Sequence, residues 1–172
     1  MIIIMEGPDG AGKTTACKRL SNLLSCHVRH FSYPRDEREG QNMYTMYRDL
    51  IREHLLGKIE IWDRAWYSDI CYGPIMRNKR YISINDSLRL ERLLQGVGAM
   101  VIYCTGNKYD MYKKAKERGE DYVTNFETYE LIYNEYRNLF TYAAHLVPVN
   151  TLEIIGNALW EEQLLNHIKG RH

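Results

Sequence analysis

The sequence predicts a three-layer α/β fold, with helices flanking both faces of a five-stranded parallel sheet. Three observations carry this. Short strand candidates recur at 2–5, 26–33, 59–64, 99–105 and 151–155. Segments of helical period lie between them, so strands and helices alternate from end to end. A glycine-rich loop joins the first strand to the first helix, as parallel sheets with ligands at their carboxyl ends require. At 172 residues, 45% of them apolar, the chain suits one domain over 1–172 with one sizeable core.

The first strand, Ile2-Ile3-Ile4-Met5, runs into Gly7-Pro8-Asp9-Gly10-Ala11-Gly12-Lys13-Thr14-Thr15, a G-x-x-x-x-G-K-[ST] phosphate loop. Backbone N–H groups must turn inward around a phosphate, which calls for glycine where a Cβ would block the approach. A helix opening at Lys13 aims its positive end at the same anion. The expected nucleotide-binding residues are therefore Gly7, Asp9, Gly10, Ala11, Gly12, Lys13, Thr14 and Thr15. Lys13 brings a full charge to the β/γ-phosphates, and Thr14 offers a hydroxyl to Mg2+. A nucleoside triphosphate is the expected ligand.

Cys26 to Tyr33 reads as the second strand, ended by Pro34, with His27 and His30 on opposite faces as structural or surface residues. Arg35 to Gly40 reads as a charged loop, and Met43, Met46, Tyr47, Leu50, Ile51, His54 and Leu55 as a helical stripe ended by Gly57. Ile59 to Arg64 is a strand with an acid at its carboxyl end, which places Asp63 with Thr14 in a Mg2+ shell and Arg64 beside a substrate anion. Ala65 to Tyr72 predicts a short helix broken by Gly73-Pro74, and a basic cluster of Arg77, Lys79 and Arg80 follows. Asn85-Asp86-Ser87 predicts a helix start, Ala99 to Thr105 a buried strand, and Asn107 to Gly119 a lysine-rich helix. Thr124 to Glu127 has the form of a capping box for a helix to about His145; a strand at 151–155 and a helix from Asn157 to Ile168 complete the chain.

The formal charge of +1 argues strongly neither for nor against nucleic acid, although a dedicated DNA binder is usually more basic. Cys17, Cys26, Cys71 and Cys104 lack metal-ligand spacing and read as free thiols of a reducing compartment. With no secretory or membrane-spanning segment, a cytoplasmic protein is expected. A competing signal is Asn107-Lys108-Tyr109-Asp110, the N-K-x-D tetrapeptide with which a GTP-binding switch reads guanine. Against it, Asp63 is followed by Arg64-Ala65-Trp66 where a switch needs D-x-x-G, and Lys113 to Tyr122 is unusually basic.

These residues together resemble the thymidylate kinase group of nucleoside monophosphate kinases, in a short form of the kind bacteriophages carry. The phosphate loop fits that group through Asp9, and Asp63-Arg64 with Ser68 and Tyr72 follows its second signature. Tyr33-Pro34-Arg35 matches its substrate loop, Lys113 to Tyr136 its basic lid and aromatic helix, and Ile155 to Ala158 its adenine-side loop. The resemblance implies a P-loop kinase fold with a lid near 108–123, using ATP and Mg2+. Asp9 would bond the sugar 3′-hydroxyl, Arg64 and Arg35 the acceptor phosphate, and Tyr72 would stack on a pyrimidine. Arg77 and Tyr122 would join the substrate site and Asn157 the nucleotide site. Gly10 stands where one branch keeps an arginine, so Arg118 or Lys114 in the lid would supply that cation; Lys13, Asp63, Arg64 and Arg118 form the expected catalytic set.

One departure bears on the acceptor. Between Gly40 and Ile59 only about one helix fits, where the group has a longer segment packing on thymine. The more open pocket counts against dTMP itself and suits a modified pyrimidine, or 5-hydroxymethyluracil presented on DNA; that last acceptor attacks with a hydroxyl and needs a base, Asp63 or Asp36. The expected partners are a nucleoside triphosphate and a small nucleotide acceptor, with DNA as the alternative, no membrane, and a homodimer as the assembly to test.

Overall fold

The computed structural model describes residues 1–34, 36–54, 58–119, 125–142, 150–155, 162 and 165–166. Strand β1 (Ile2–Glu6) leads through the phosphate loop into α1 (Lys13–Leu24), β2 (His27–His30), α2 (Glu37–Glu53) and β3 (Glu60–Asp63). Helices α3 (Trp66–Arg77) and α4 (Ile84–Gly96), β4 (Met100–Thr105), α5 (Lys108–Glu117), α6 (Phe126–Arg137) and β5 (Asn150–Ile155) follow. All strand pairs are parallel, in the order β2-β3-β1-β4-β5. The expected five-stranded sheet is present.

Strand β1 is central and buried along its whole length, so both its faces must be apolar. Ile2 and Ile4 pack with Trp62, Trp66, Tyr47 and Leu90 on one face; Ile3 and Met5 pack with Cys17, Leu20, Ile102 and Cys104 on the other. Each buried isoleucine contributes about 1.5–3 kcal/mol. Register then fixes the site. Met5 stands opposite Asp63 and Glu6 opposite Tyr103, so the chain leaves β1 and β3 side by side at the carboxyl edge.

Several local expectations are corrected. Helix α3 runs through Gly73-Pro74 to Arg77. Pro74 lacks the N–H that would bond the Ile70 carbonyl, and the Arg80 Nε donates to that oxygen instead at 3.2 Å. Residues 37–40 are helical, because the Asp36 carboxylate caps α2 by accepting the Glu39 N–H at 2.8 Å. Ser83, not Asn85, starts α4, accepting the Asp86 N–H. Strand β2 stops at His30, and Met46 is exposed. Asn125 caps α6, whose regular turns end at Arg137 in a π-helical stretch, Asn138–Tyr142. Thr124, Gly57 and most of the expected last helix lie outside the described residues. The four cysteines are free, with Cys26 only partly buried. Among the described residues no helix is long and apolar enough to cross a membrane.

Candidate active site

The phosphate loop lies between β1 and α1. Gly10 and Gly12 sit at φ 78° and 85°, in the left-handed region that favours glycine. A Cβ on Gly10 would run into the Met111 carbonyl of α5, so the loop closes only without a side chain there. The Tyr129 hydroxyl of α6 donates to the Asp9 carbonyl at 2.8 Å and pins the loop from above. Lys13 is buried, and its Nζ donates to the Pro8 carbonyl at 2.7 Å. Burial, and next the nearby Arg64 charge, lower its ammonium to about pKa 8.

Beside Lys13, the Thr14 hydroxyl donates to Asp63 Oδ2 at 3.1 Å, and His30 Nδ1 lies 3.2 Å from the same oxygen. The other oxygen of Asp63 is buried without a hydrogen-bond partner. An orphaned carboxylate oxygen beside a phosphate-loop hydroxyl fits a divalent cation. Among the described residues no group of three or more His, Cys, Asp or Glu side chains could hold one by itself.

The turn after Asp63 is unusual. Arg64 adopts φ 74° without being glycine. Its guanidinium pairs with Asp9 and donates to Ser68 Oγ at 3.0 Å and Tyr136 Oη at 3.4 Å. Beneath it lies Glu6, fully buried, which accepts the Ala65 N–H at 2.6 Å, the Ser68 hydroxyl at 3.0 Å and the Tyr136 hydroxyl at 3.1 Å. Burial raises the Glu6 carboxyl, against the opposing pull of Arg64 and the Ala65 N–H. Burial also pushes Asp9 upward, but Arg64, Lys13 and the Tyr72 hydroxyl outweigh it and hold that carboxyl below its ordinary value.

These groups open onto a cavity of about 410 Å³. Asp9, Lys13, Thr14, Asp63 and Arg64 are among its polar lining residues, and Phe31, Tyr33, Met43, Tyr47 and Met76 among its apolar ones. Phe31 is braced at 5.0 Å by the Tyr47 ring and at 5.1 Å, edge-on, by Trp62.

Residues 1–142 match the profile of the polyphosphate kinase 2 (PPK2) family. The chain belongs to that family. A curated relative, the GDP-polyphosphate phosphotransferase of Mycobacterium tuberculosis, is 35% identical over 71 residues, 40% of this chain. The matched stretch spans 23% of that relative. Among solved structures, the Bacillus subtilis YorR protein, in complex with phosphorylated GDP, superposes with a TM-score of 0.78 at 19% identity, covering 100% of this chain and 99% of its own. The thymidylate kinase of Candida albicans gives a TM-score of 0.66 at 16% identity, covering 99% and 91%. At these identities the structures show a shared nucleotide-kinase fold. This polyphosphate kinase 2 family member is a P-loop phosphotransferase.

Of the residues singled out in the sequence, Asp9, Gly10, Gly12, Lys13, Thr14, Asp63, Arg64, Tyr72 and Arg118 line the one cavity. Gly7 lies behind it against the Cys104 carbonyl, and Thr15 is exposed on α1. Ala11 donates its N–H to the Pro8 carbonyl at 3.3 Å. Tyr72 lines the cavity; its hydroxyl donates to Asp9 Oδ2 at 2.8 Å, and Arg64 lies over its ring at 5.5 Å. Both Asp9 oxygens are thereby engaged within the protein. Arg77 is not itself in the cavity lining; it pairs with Asp69 and lies over the Tyr33 ring at 4.1 Å, both of which line the cavity, and over the Tyr81 ring at 4.8 Å. Lys114 is exposed on α5 outside the cavity lining, whereas Arg118 reaches it. Asn107 and Lys108 of the N-K-x-D tetrapeptide serve as a helix start: Asn107 caps α5, and Lys108 pairs with Glu130. Arg35, Tyr122 and Asn157 lie outside the described residues. Sequence reasoning missed Glu6, His30, Phe31 and Tyr136. Glu6 carried a readable signal, an acid closing a wholly apolar strand, since a buried carboxylate must find partners.

Proposed function

We propose that the chain transfers the γ-phosphoryl group of ATP to a nucleoside monophosphate, with a pyrimidine deoxynucleotide as the favoured acceptor. The observation that carries this reading is that Phe31, Tyr33, Met43, Tyr47 and Met76 line the same cavity as the phosphate loop. A flat base suits such a lining; a bare chain of phosphates does not. The same cavity must admit the donor's terminal phosphates, which favours the smaller pyrimidine. Arg64 would take the acceptor phosphate in exchange for Asp9, freeing that carboxylate for a sugar hydroxyl.

The phosphate-loop amides and Lys13 would hold the donor. Arg118 would bring its charge to the transferring group from a lid beginning at the end of α5. Thr14 and Asp63 would hold Mg2+, which neutralises phosphate charge when bound. A phosphate acceptor needs alignment and charge neutralisation more than a base.

A second reading, exchange between polyphosphate and a nucleotide, is favoured by the family match and by the relative named GDP-polyphosphate phosphotransferase. One panel separates them. Labelled ATP, GTP and polyphosphate are each offered with deoxynucleoside monophosphates, GDP, and DNA containing 5-hydroxymethyluracil. Label passing from ATP to dTMP or another pyrimidine monophosphate supports the proposal. Transfer only between polyphosphate and a nucleoside diphosphate replaces it with the second reading, and label confined to DNA replaces both.

A further inference from the structure

We infer that Glu6 is the positioning residue for Arg64, fixing the left-handed turn on which the arginine stands and the direction in which its guanidinium enters the cavity. This rests on the reading of Arg64 as the acceptor-phosphate ligand. Glu6 is fully buried at the carboxyl end of the central strand, one residue before the phosphate loop. Each of its oxygens has a separate task. Oε1 accepts the Ala65 N–H at 2.6 Å, holding the peptide that immediately follows the φ 74° residue. Oε2 accepts both hydroxyls, Ser68 at 3.0 Å and Tyr136 at 3.1 Å.

Those two hydroxyls also receive the Arg64 Nη1 hydrogen bonds, and each lies within hydrogen-bond reach of the other at 2.9 Å. One carboxylate therefore grips Arg64 twice, through its backbone and through the two hydroxyls that cradle its side chain. A non-glycine residue keeps a sparsely populated conformation only where its surroundings over-determine it. Glu6 supplies that excess of constraint. Glu6 is not in the cavity lining and reaches the guanidinium through those hydroxyls, whereas Asp9, which does line the cavity, pairs with it directly. The arginine stays oriented while its Asp9 partner is exchanged for an acceptor phosphate.

The test uses the full chain as Glu6→Ala and Glu6→Gln, with three readouts. Glu6→Gln keeps an oxygen for the Ala65 N–H and a polar group for the two hydroxyls. In protein labelled with 15N-arginine, the Arg64 guanidinium signal, assigned by its loss in Arg64→Lys, is narrow and slow to exchange in the wild type. It should disappear into the averaged arginine envelope in Glu6→Ala and survive in Glu6→Gln. In steady-state assays Glu6→Ala should raise the acceptor KM by ~10-fold or more while ATP affinity stays within ~2-fold, and Glu6→Gln should return KM to within ~3-fold of wild type. Glu6→Asp, which keeps the charge but shortens the reach, gives the same split at smaller size and serves if the alanine variant does not fold. An unchanged Arg64 signal in Glu6→Ala overturns the inference, as does an equal loss of ATP and acceptor binding, which marks a structural role alone. If the wild type phosphorylates no monophosphate, the acceptor reading fails while the guanidinium signal still decides the role of Glu6.

Discussion

The two ends of the cavity are built in opposite ways. The donor end is made almost entirely by consecutive residues, Gly7 to Thr14, in which backbone amides, two left-handed glycines and one lysine do the work. The acceptor end is made by side chains from distant elements: Phe31 and Tyr33 after β2, Met43 and Tyr47 on α2, Arg64 after β3, Met76 on α3. A site made of contiguous backbone keeps one geometry wherever its spelling recurs. A site assembled from separate elements takes its shape from how they pack. In the proposed reading, chemistry common to many phosphotransferases would sit at the first end and the choice of acceptor at the second, with the Arg64–Asp9 pair as the joint between them.

Breaking the donor end should have the largest effect. Lys13→Ala removes the buried cation at the phosphates and should lower turnover by ~10^3-fold or more, measured as kcat at saturating nucleotide, with the fold retained. Normal turnover in that variant would end the assignment of the loop as the reaction centre. Arg118→Met should lower kcat by ~10^2-fold with a smaller loss of ATP affinity, because its contact strengthens in the transition state. Lys114→Met, outside the cavity lining, should change kcat little; the reverse ranking would move the lid cation to Lys114.

Acidity probes the same end without mutation. Lys13 titrates at about 8 in the empty protein, below its ordinary 10.5, and only its ammonium form attracts a triphosphate. ATP affinity should be flat below pH 8 and weaken above it, by up to ~10-fold per pH unit, with proton uptake on binding visible in calorimetry in several buffers. The stability of the empty protein should run the other way. Between pH 8 and 10.5 the unfolded chain holds the Lys13 proton more firmly than the folded one, so this group's contribution to stability rises across that window. Affinity that stays level to pH 10 would contradict the burial argument. At the acceptor end, Phe31→Ala should raise the acceptor KM by roughly 5-fold and leave ATP affinity unchanged, since remote binding contacts act on one substrate at a time. Equal loss for both substrates would mean that the two ends are not separable.

By itself the sequence determined whatever rests on contiguous residues. Alternating apolar runs fixed a parallel sheet, because a strand buried on both faces has no polar alternative, and Ile2 to Met5 is such a strand. The loop spelling fixed the phosphate site, because its glycines are demanded by backbone geometry. Asp63 was legible as an acid ending a strand, and Thr14 as its companion. Tertiary structure decided the rest. Pro74 reads as a helix end until Arg80 is found bonding the carbonyl it leaves free. Tyr72 reads as a ring for stacking, and only the fold shows that its hydroxyl also holds Asp9. Arg77 reads as a substrate cation, and only the fold shows it held by Asp69 and Tyr33, which line the cavity, and by Tyr81. In each case a side chain has several partners within reach of its chemistry, and only the packing of distant elements chooses among them. Glu6 is the limiting example: the sequence shows a carboxylate that burial obliges to have partners, and only the fold shows that those partners hold Arg64.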